Sequence, residues 1–284
     1  MTRRRALALT IVLAVLAATS VSVAQRWRRG RDRGWERERA GVPNWENDPQ
    51  FKSDVFTFVR IRYDSYRGGR GYWRGGRDWR TDYPDSDYNF SYRLQQLTSL
   101  KVNPDPVILR LTDDELFDYP FIYIIEPGDL VFSEAEIVAL RKYLLNGGFL
   151  MVDDFWGDYE WQNFYEQIKR VFPDREPQEL PDDHEIFRCV YRLKGKPQVP
   201  SLGAAINGRE YGITYEPYHG GNCETVHFKG LFDDDGRMMA IICHNTDLGD
   251  GWEEEGVDEW YFHEFAENKS YPMGINIVTY AMTH

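Results

Sequence analysis

"GGFLMVDDFWG", residues 147–157, is the stretch of sequence that decides the fold class. Its short apolar run, residues 149–152, ends in two adjacent carboxylates, Asp153 and Asp154. An apolar run of this length after a glycine pair is typical of a buried strand in a parallel sheet. Acids directly after such a strand are costly to bury, so the central question is what the end of this strand faces.

Strands and helices alternate on both sides of this stretch. A capping box of Ser133 and Glu136 begins the helix before it, and the glycine pair ends that helix. A hairpin that turns at Asp235-Gly236 lies further along the chain. The elements β, α, β, β, α, β, α are predicted in that order over residues 54–62, 89–100, 106–111, 120–125, 134–148, 149–153 and 159–172. This order predicts a three-layer α-β-α sandwich with a mainly parallel central sheet and an antiparallel hairpin extension.

Ligands of such sheets bind outside the carboxyl ends of the strands, which is where Asp153 and Asp154 lie. Adjacent side chains of a strand point to opposite faces. One of the two acids is therefore expected to face the crevice, while the other caps the following helix. In the alternative interpretation both acids cap that helix.

A second group of candidate residues surrounds the end of a later apolar strand. That strand ends at His244, and Asp247 and Asp250 follow in the next loop. Trp156 and Trp252 stand beside acids, as aromatic residues in sugar-binding crevices do. We therefore predict Trp156, Asp247, Asp250 and Trp252 to be ligand-binding residues.

Asp153, Asp154 and His244 are the candidate catalytic residues, because carboxylates and an imidazole can perform general acid–base chemistry. The same three residues are candidate ligands of a divalent metal cofactor, and their types suit Mn²⁺, Mg²⁺, Ca²⁺ or Zn²⁺. In the alternative interpretation, His244 is a hydrogen-bonded residue at a strand end and the acids form a solvated loop.

Charge is distributed unevenly along the chain of 284 residues, whose net charge is −12. Residues 26–80 contain 15 Lys and Arg against 8 Asp and Glu, whereas residues 81–284 contain 16 against 38. The acidic body should repel nucleic acid, so we expect no nucleic-acid partner. The Gly/Arg-rich residues 66–80 resemble RNA-binding RGG tracts, but we favour their interpretation as a surface loop.

The N-terminus has the pattern of a bacterial-type signal peptide. Three arginines precede an apolar segment, and Ser22-Val23-Ala24 suits a cleavage site. We expect removal of residues 1–24 and a periplasmic or extracellular location. The alternative is an uncleaved membrane anchor formed by residues 6–23, which would be the only membrane contact. A flexible Arg-rich arm, residues 25–51, is then predicted before a single domain, residues 52–284.

Several motifs together resemble the bacterial family called domain of unknown function 4159. They are "DYPFIYI", "LRKYLLNGGFLMVDDFWG", "EWQNFYEQIKRVFP", "ELPDDHEIF" and "GINIVTYAMTH". The resemblance covers residues 52–284. It implies a class I glutamine amidotransferase-like (flavodoxin-like) fold, similar above all to the trehalose-utilisation (ThuA-like) branch.

The resemblance also implies what this chain lacks. Glutamine amidotransferases carry a cysteine nucleophile on the turn where this chain has Asp-Asp-Phe-Trp, residues 153–156. Cys189, Cys223 and Cys243 follow no nucleophile-elbow pattern, so we expect no cysteine-dependent amidotransferase. Two functions remain open. The first is a non-catalytic module that binds a protein partner or a carbohydrate-like molecule. The second is a metal- or acid/base-dependent enzyme acting on a sugar or glycoside.

Overall fold

The computed structural model describes residues 39–51, 54–66 and 78–284. The chain divides into two compact units, residues 1–41 and 42–284. Of the first unit, only the 3₁₀ turn Arg39–Gly41 is described. The predicted signal peptide, residues 25–38 of the predicted arm and residues 67–77 of the Gly/Arg-rich loop lie outside the described residues.

The second unit is an α/β domain. Its strands are β1 Val59–Ile61, β2 Asp64–Ser65, β3 Val107–Leu109, β4 Phe121–Ile125, β5 Leu130–Val131, β6 Phe149–Asp153, β7 Gln178–Glu179, β8 His227–Phe232 and β9 Met238–His244. Its α-helices are α1 Asp85–Leu97, α2 Glu134–Leu145, α3 Gly157–Val171, α4 Leu202–Gly208, α5 Leu248–Glu253, α6 Glu259–Tyr261 and α7 Tyr271–Thr283. A π-helix, Phe262–Ser270, joins α6 to α7. None of the described helices is both long and apolar enough to cross a membrane.

The central sheet has the strand order β3-β1-β4-β6-β9-β8-β7. The first five of these strands run parallel, whereas β8 and β7 are antiparallel to their neighbours. This arrangement confirms the predicted mixed α/β class and the mainly parallel sheet. It also confirms the hairpin extension, because β8 and β9 pair along their length. The short strands β2 and β5 form a separate two-stranded sheet.

Helices cover both faces of the sheet, and β6 shows how the sequence divides between them. Met151 faces a cluster that includes Phe90 of α1. Its neighbour Val152 faces a second cluster, which includes Leu140 of α2 and Phe164 of α3. Every position of β6 is buried. The strand therefore reads as a continuous apolar run rather than an alternating one, as expected of a parallel strand covered on both sides.

The ends of several elements differ from the predicted ones. The first strand is shorter than predicted, although an isolated bridge joins Phe56 to Val102 just before it. Residues 42–51, predicted to belong to the flexible arm, contact the domain instead. The indole N–H of Trp45 donates to the carbonyl of Val102 at 2.8 Å, so the domain extends back to Val42.

Candidate functional site

A cavity of about 310 Å³ lies at the carboxyl ends of neighbouring strands. Glu126 follows β4, Asp154 follows β6, and Asp247 lies just after β9. The chain passes from β3 over β1 to β4, so the strand order reverses at this edge, as at the ligand sites of open α/β sheets. The cavity wall includes six acids: Asp82, Glu126, Asp154, Glu216, Asp247 and Asp250.

Three of these acids have a left-handed backbone. Their φ angles are 63° at Asp82, 50° at Glu126 and 55° at Asp154. Residues other than glycine rarely adopt this conformation, which costs on the order of 1 kcal/mol or more at each position. The turns follow directly after β4 and β6 in two of the cases. The fold thus accepts backbone strain where the chain turns and places these carboxylates in the cavity wall.

Asp153 and Asp154 are adjacent in sequence but have different surroundings. Asp153 Oδ2 accepts hydrogen bonds from the N–H groups of Leu248 and Gly249 and from the hydroxyl of Tyr123. Asp153 thus caps α5, not the helix directly after its own strand. Asp154 lines the cavity, and its Oδ1 accepts the indole N–H of Trp156 at 3.3 Å.

His244 lies among aromatic rings rather than in the cavity wall. Its ring centroid is 4.9 Å from that of Phe155 and 5.2 Å from that of Trp161. Its Nε2 lies 3.0 Å from the carbonyl oxygen of Gly157. Burial lowers the pKa of His244 to about 4, so the ring is neutral at pH 7. His244 does not approach Asp153, because its ring packs on Phe155 of the second cluster, whereas Asp153 bonds to Tyr123 of the first cluster on the opposite face of the sheet.

The two predicted tryptophans are both fully buried. Trp252 packs against Phe90, with 4.3 Å between ring centroids, and belongs to the hydrophobic core. Trp156 lies under the cavity wall, where its indole bonds to Asp154. Neither side chain offers the cavity an exposed ring face, so the predicted stacking role of both residues is corrected.

Within the described parts of the chain, two groups of acids are close enough to share one cation. The first consists of Asp82, Asp247 and Asp250, with one oxygen of each within 4.8 Å of the others. The second shares Asp250 and adds the half-buried Glu253 and Glu254. The predicted metal ligands, residues 153, 154 and 244, belong to neither group. The candidate metal position in the structure is therefore at the start of α5, whereas the sequence predicted it at the end of β6.

Residues 57–282 match the model of a family described as "Domain of unknown function (DUF4159)". The chain belongs to this family. No curated protein matches the chain. The description of this DUF4159 family assigns no activity.

Burial and mutual repulsion perturb the acids of the DUF4159 domain. Desolvation raises the pKa of Asp154 well above its ordinary value, and the neighbouring Glu216 and Asp250 raise it further. Asp82, Asp247 and Asp250 shift in the same direction for the same two reasons. Desolvation likewise raises the pKa of Asp153 to about 7, against the lowering effect of its hydrogen bonds. A ligand that compensates negative charge would therefore relieve both the desolvation and the mutual repulsion of these acids.

Residues 216–219 form a further wall of the cavity in the DUF4159 domain. His219 lies between two acids, with Nδ1 3.0 Å from Glu160 and Nε2 2.9 Å from Glu216. Glu216 also accepts the N–H of Ser201 at 2.7 Å. Burial raises the pKa of Glu216, but hydrogen bonds from His219 and Ser201 outweigh it and lower the pKa to about 2. This acid is therefore ionised at neutral pH, and its pKa shift is opposite in direction to that of Asp154.

Several of these residues were missed by the sequence analysis. Glu126 could have been found, because it follows a predicted buried strand, as Asp153 does. Asp82 could not, because its position depends on Arg60 of β1, which donates to the carbonyls of Trp79 and Thr81 at 3.0 Å. Those contacts join residues far apart in sequence and leave no local pattern.

Proposed function

We propose that the acidic cavity binds a small ligand that is rich in hydrogen-bond donors and carries no negative charge, and that the domain does not transform it. The convergence of six carboxylates on one cavity supports this proposal most strongly. An ionised carboxylate only accepts hydrogen bonds, so hydroxyl or ammonium groups complement it. Among the described lining residues there is no Lys or Arg to offset the repulsion that the acids would exert on an anionic ligand.

A carbohydrate-like molecule fits this description best. Thr81, Ser201 and Tyr218 add hydroxyl groups to the wall, and these can both donate and accept. Tyr218 is 64% exposed although its hydroxyl donates to Glu216, so its ring stands at the rim of the cavity. An exposed ring beside acceptors suits a sugar, which has apolar ring faces and hydroxyl edges. The volume lies at the lower end of the roughly 300–1,000 Å³ of small-molecule sites.

The domain is further proposed to be a relative of the class I glutamine amidotransferase-like proteins, near the trehalose-utilisation branch, that lacks their cysteine nucleophile. The mainly parallel sheet and the acidic turn after β6 support this relationship. The thiols support the loss of amidotransferase chemistry, because burial raises the pKa of Cys189, Cys223 and Cys243. A raised pKa disfavours the thiolate, which is the nucleophilic form.

Export to the periplasm or the cell exterior is also part of the proposal. It rests on the sequence of residues 1–24. Mass spectrometry of the protein from its native compartment tests it. A chain that begins at Gln25 would support cleavage, whereas an intact Met1 in the membrane fraction would support the anchor of residues 6–23.

A second candidate function is acid–base catalysis on a glycoside, which the contrast between Asp154 and Glu216 favours. Both acids line the cavity, but the pKa of Asp154 is raised and that of Glu216 is lowered to about 2. Glycoside hydrolysis uses two carboxyl groups whose pKa values are shifted apart, one upward for the acid and one downward for the base or nucleophile. Turnover of chromogenic glycosides, abolished in Asp154→Asn, would support this function over simple binding.

Calorimetry on the whole mature chain tests the binding proposal. The panel contains neutral disaccharides, an amino sugar and two anionic sugars, a uronate and a sugar phosphate. We expect binding of the neutral or amino sugars and none of the anionic ones. Asp154→Asn and Glu126→Gln should weaken binding about 10- to 100-fold, the effect of losing a charged hydrogen bond.

Asp234→Asn is the matched control. Asp234 lies on the turn between β8 and β9, is 90% exposed and pairs with Arg175. The substitution removes one carboxylate outside the cavity, so the variant should bind sugars as the wild type does. Preferential binding of the anionic sugars, or equal weakening in Asp234→Asn, would contradict the proposal.

A further inference from the structure

We infer that Asp82, Asp247 and Asp250 form a binding site for a hard divalent cation of the class of Ca²⁺, Mg²⁺ and Mn²⁺. The site lies in the cavity of the proposed function, and its role in ligand binding rests on that function. The existence of the cation site does not, because the cation can be tested alone.

The three acids come from two parts of the chain that meet only in the fold. Asp82 precedes α1, Asp247 is the residue before α5, and Asp250 lies in the first turn of α5. One oxygen of each lies within 4.8 Å of the others. Two oxygens on one ion are at most two metal–oxygen bonds apart, about 4.6–5.2 Å for Ca²⁺. The group therefore meets the spacing limit for one calcium ion.

One carboxylate oxygen of this group lacks a partner within the described residues. Asp82 is 8% exposed, and its Oδ2 is buried and makes no hydrogen bond there. By contrast, Asp247 Oδ1 accepts the N–H of Asp250 at 2.8 Å. A buried acceptor without a donor costs about 1–3 kcal/mol, and more when it is charged. An ion at this position would compensate that cost.

The charge of Arg60 acts on Asp82, but its guanidinium makes its hydrogen bonds to other groups. Arg60 uses its guanidinium N–H groups on Asp87, on Ser86 and on the carbonyls of Trp79 and Thr81. It fixes the loop that carries Asp82 without donating to the Asp82 carboxylate. Within the described residues, Arg60 therefore donates no hydrogen bond to any of the three acids that the fold brings together.

The chemistry of the group selects the class of cation. All three ligands are oxygens, with no imidazole or thiolate among them. Sites made of oxygen ligands alone suit Mg²⁺, Ca²⁺ and Mn²⁺, whereas zinc and copper sites typically include nitrogen or sulfur ligands. Ca²⁺ takes six to eight oxygens, so three carboxylates leave several positions open. Those positions would face the cavity, where hydroxyl groups of the proposed sugar ligand could occupy them.

Titration of the chelator-treated whole chain with Ca²⁺, Mg²⁺ and Mn²⁺ separately, without sugar, tests this inference. We expect saturable heat for one ion per chain and a rise in the thermal midpoint with at least one of the three. Asp82→Asn and Asp250→Asn should weaken binding at least tenfold, and Asp234→Asn should not. The two cavity variants should be at least as stable as the wild type without metal, since each removes a buried repulsive charge.

Two outcomes would overturn the inference. The first is the absence of heat and of any thermal shift at millimolar concentrations of all three ions. The second is wild-type affinity in both cavity variants. Repeating the sugar titrations in chelator tests sugar binding independently of cation binding. Sugar binding without cation binding contradicts the inference alone, and cation binding without sugar binding contradicts the proposed function alone.

Discussion

The carboxylate of Asp153 accepts the backbone N–H of Gly249 at 3.1 Å, and this contact joins the end of β6 to the start of α5. The same oxygen accepts the N–H of Leu248 at 3.0 Å. Because α5 carries Asp250, the geometry of the acidic cavity depends on Asp153 even though Asp153 does not line it. The two adjacent acids therefore have different roles in the structure: Asp153 positions α5, and Asp154 lines the cavity.

Asp153→Ala should destabilise the protein by about 3 kcal/mol. The substitution leaves the N–H groups of Leu248 and Gly249 and the hydroxyl of Tyr123 buried without their acceptor, at about 1–3 kcal/mol for an unsatisfied donor. Asp153→Asn retains one acceptor oxygen and should cost less than half as much. Urea unfolding of both variants and the wild type measures these losses. If Asp153→Ala and the wild type had equal unfolding midpoints, the capping role of Asp153 would be contradicted.

Gly157→Ala should damage both the fold and the site. Gly157 has a φ of 70°, and a Cβ atom there would lie 2.0 Å from the carbonyl oxygen of Gly220. That oxygen belongs to the segment that carries Glu216 and His219. We expect a loss of about 2 kcal/mol or more in unfolding free energy, together with weaker ligand binding.

Gly203→Ala is the control for this substitution. Gly203 lies in α4 and has open space around the position of a Cβ atom. Alanine is favoured over glycine in a helix by about 1 kcal/mol, so the variant should be as stable as the wild type or more stable. Urea titrations of the two variants and the wild type compare their unfolding free energies. Unchanged stability of Gly157→Ala would show that the segment around Gly220 can move away from the added Cβ atom.

The sheet was predictable because its signals are local. Residues 121–125 and 149–152 are short apolar runs, and a capping box begins the helix between them. The structure contains that box, with Glu136 Oε2 accepting the N–H of Ser133 at 2.8 Å. The carboxyl-edge rule then located Asp154 and Asp247 correctly at the strand ends, since a strand end is itself a local feature.

The remainder of the site depends on contacts that local patterns do not encode. His244 was expected near the acids because it ends a strand at the same edge. The direction of its side chain follows from the register of β9 against β6 and β8, which the sequence does not reveal. Asp82 and Glu216 reach the cavity from loops whose positions are fixed by Arg60 and His219. Such tertiary contacts decide the membership of the site.

Replacing the cysteines should leave the ligand site intact. Cys189 is exposed and makes weak hydrogen bonds to carbonyl groups, so Cys189→Ser should change stability by less than about 0.5 kcal/mol. Cys223 and Cys243 are buried, and Cys223→Ser and Cys243→Ser should each cost about 1–3 kcal/mol because each buries a hydroxyl. Thermal melts and sugar calorimetry measure the two effects, and loss of binding at unchanged stability would contradict this expectation.

Without metal, the protein should become more stable as the pH falls from 7.5 to 5. The folded-state pKa of Asp153 is raised from 3.8 to about 7, and that of Asp154 is also raised. The folded state therefore holds protons that the unfolded state has released, and its stability falls as the pH rises through this window. His244 acts in the opposite direction, because its lowered pKa of about 4 favours proton uptake by the unfolded state below pH 6.5.

The carboxyl groups should prevail because they outnumber the opposing imidazoles. Raised pKa values are found at Asp82, Asp153, Asp154, Asp247 and Asp250, against lowered ones at His184 and His244. We expect a net gain of about 2 kcal/mol, or roughly 4–8 °C in thermal midpoint. Calorimetric melts in chelator at pH 5, 6 and 7.5 measure it. Asp154→Asn should reduce the slope, and excess Ca²⁺ should reduce it too by keeping the acids ionised. A midpoint that rises with pH in chelator would mean that the cavity acids are ionised without a ligand.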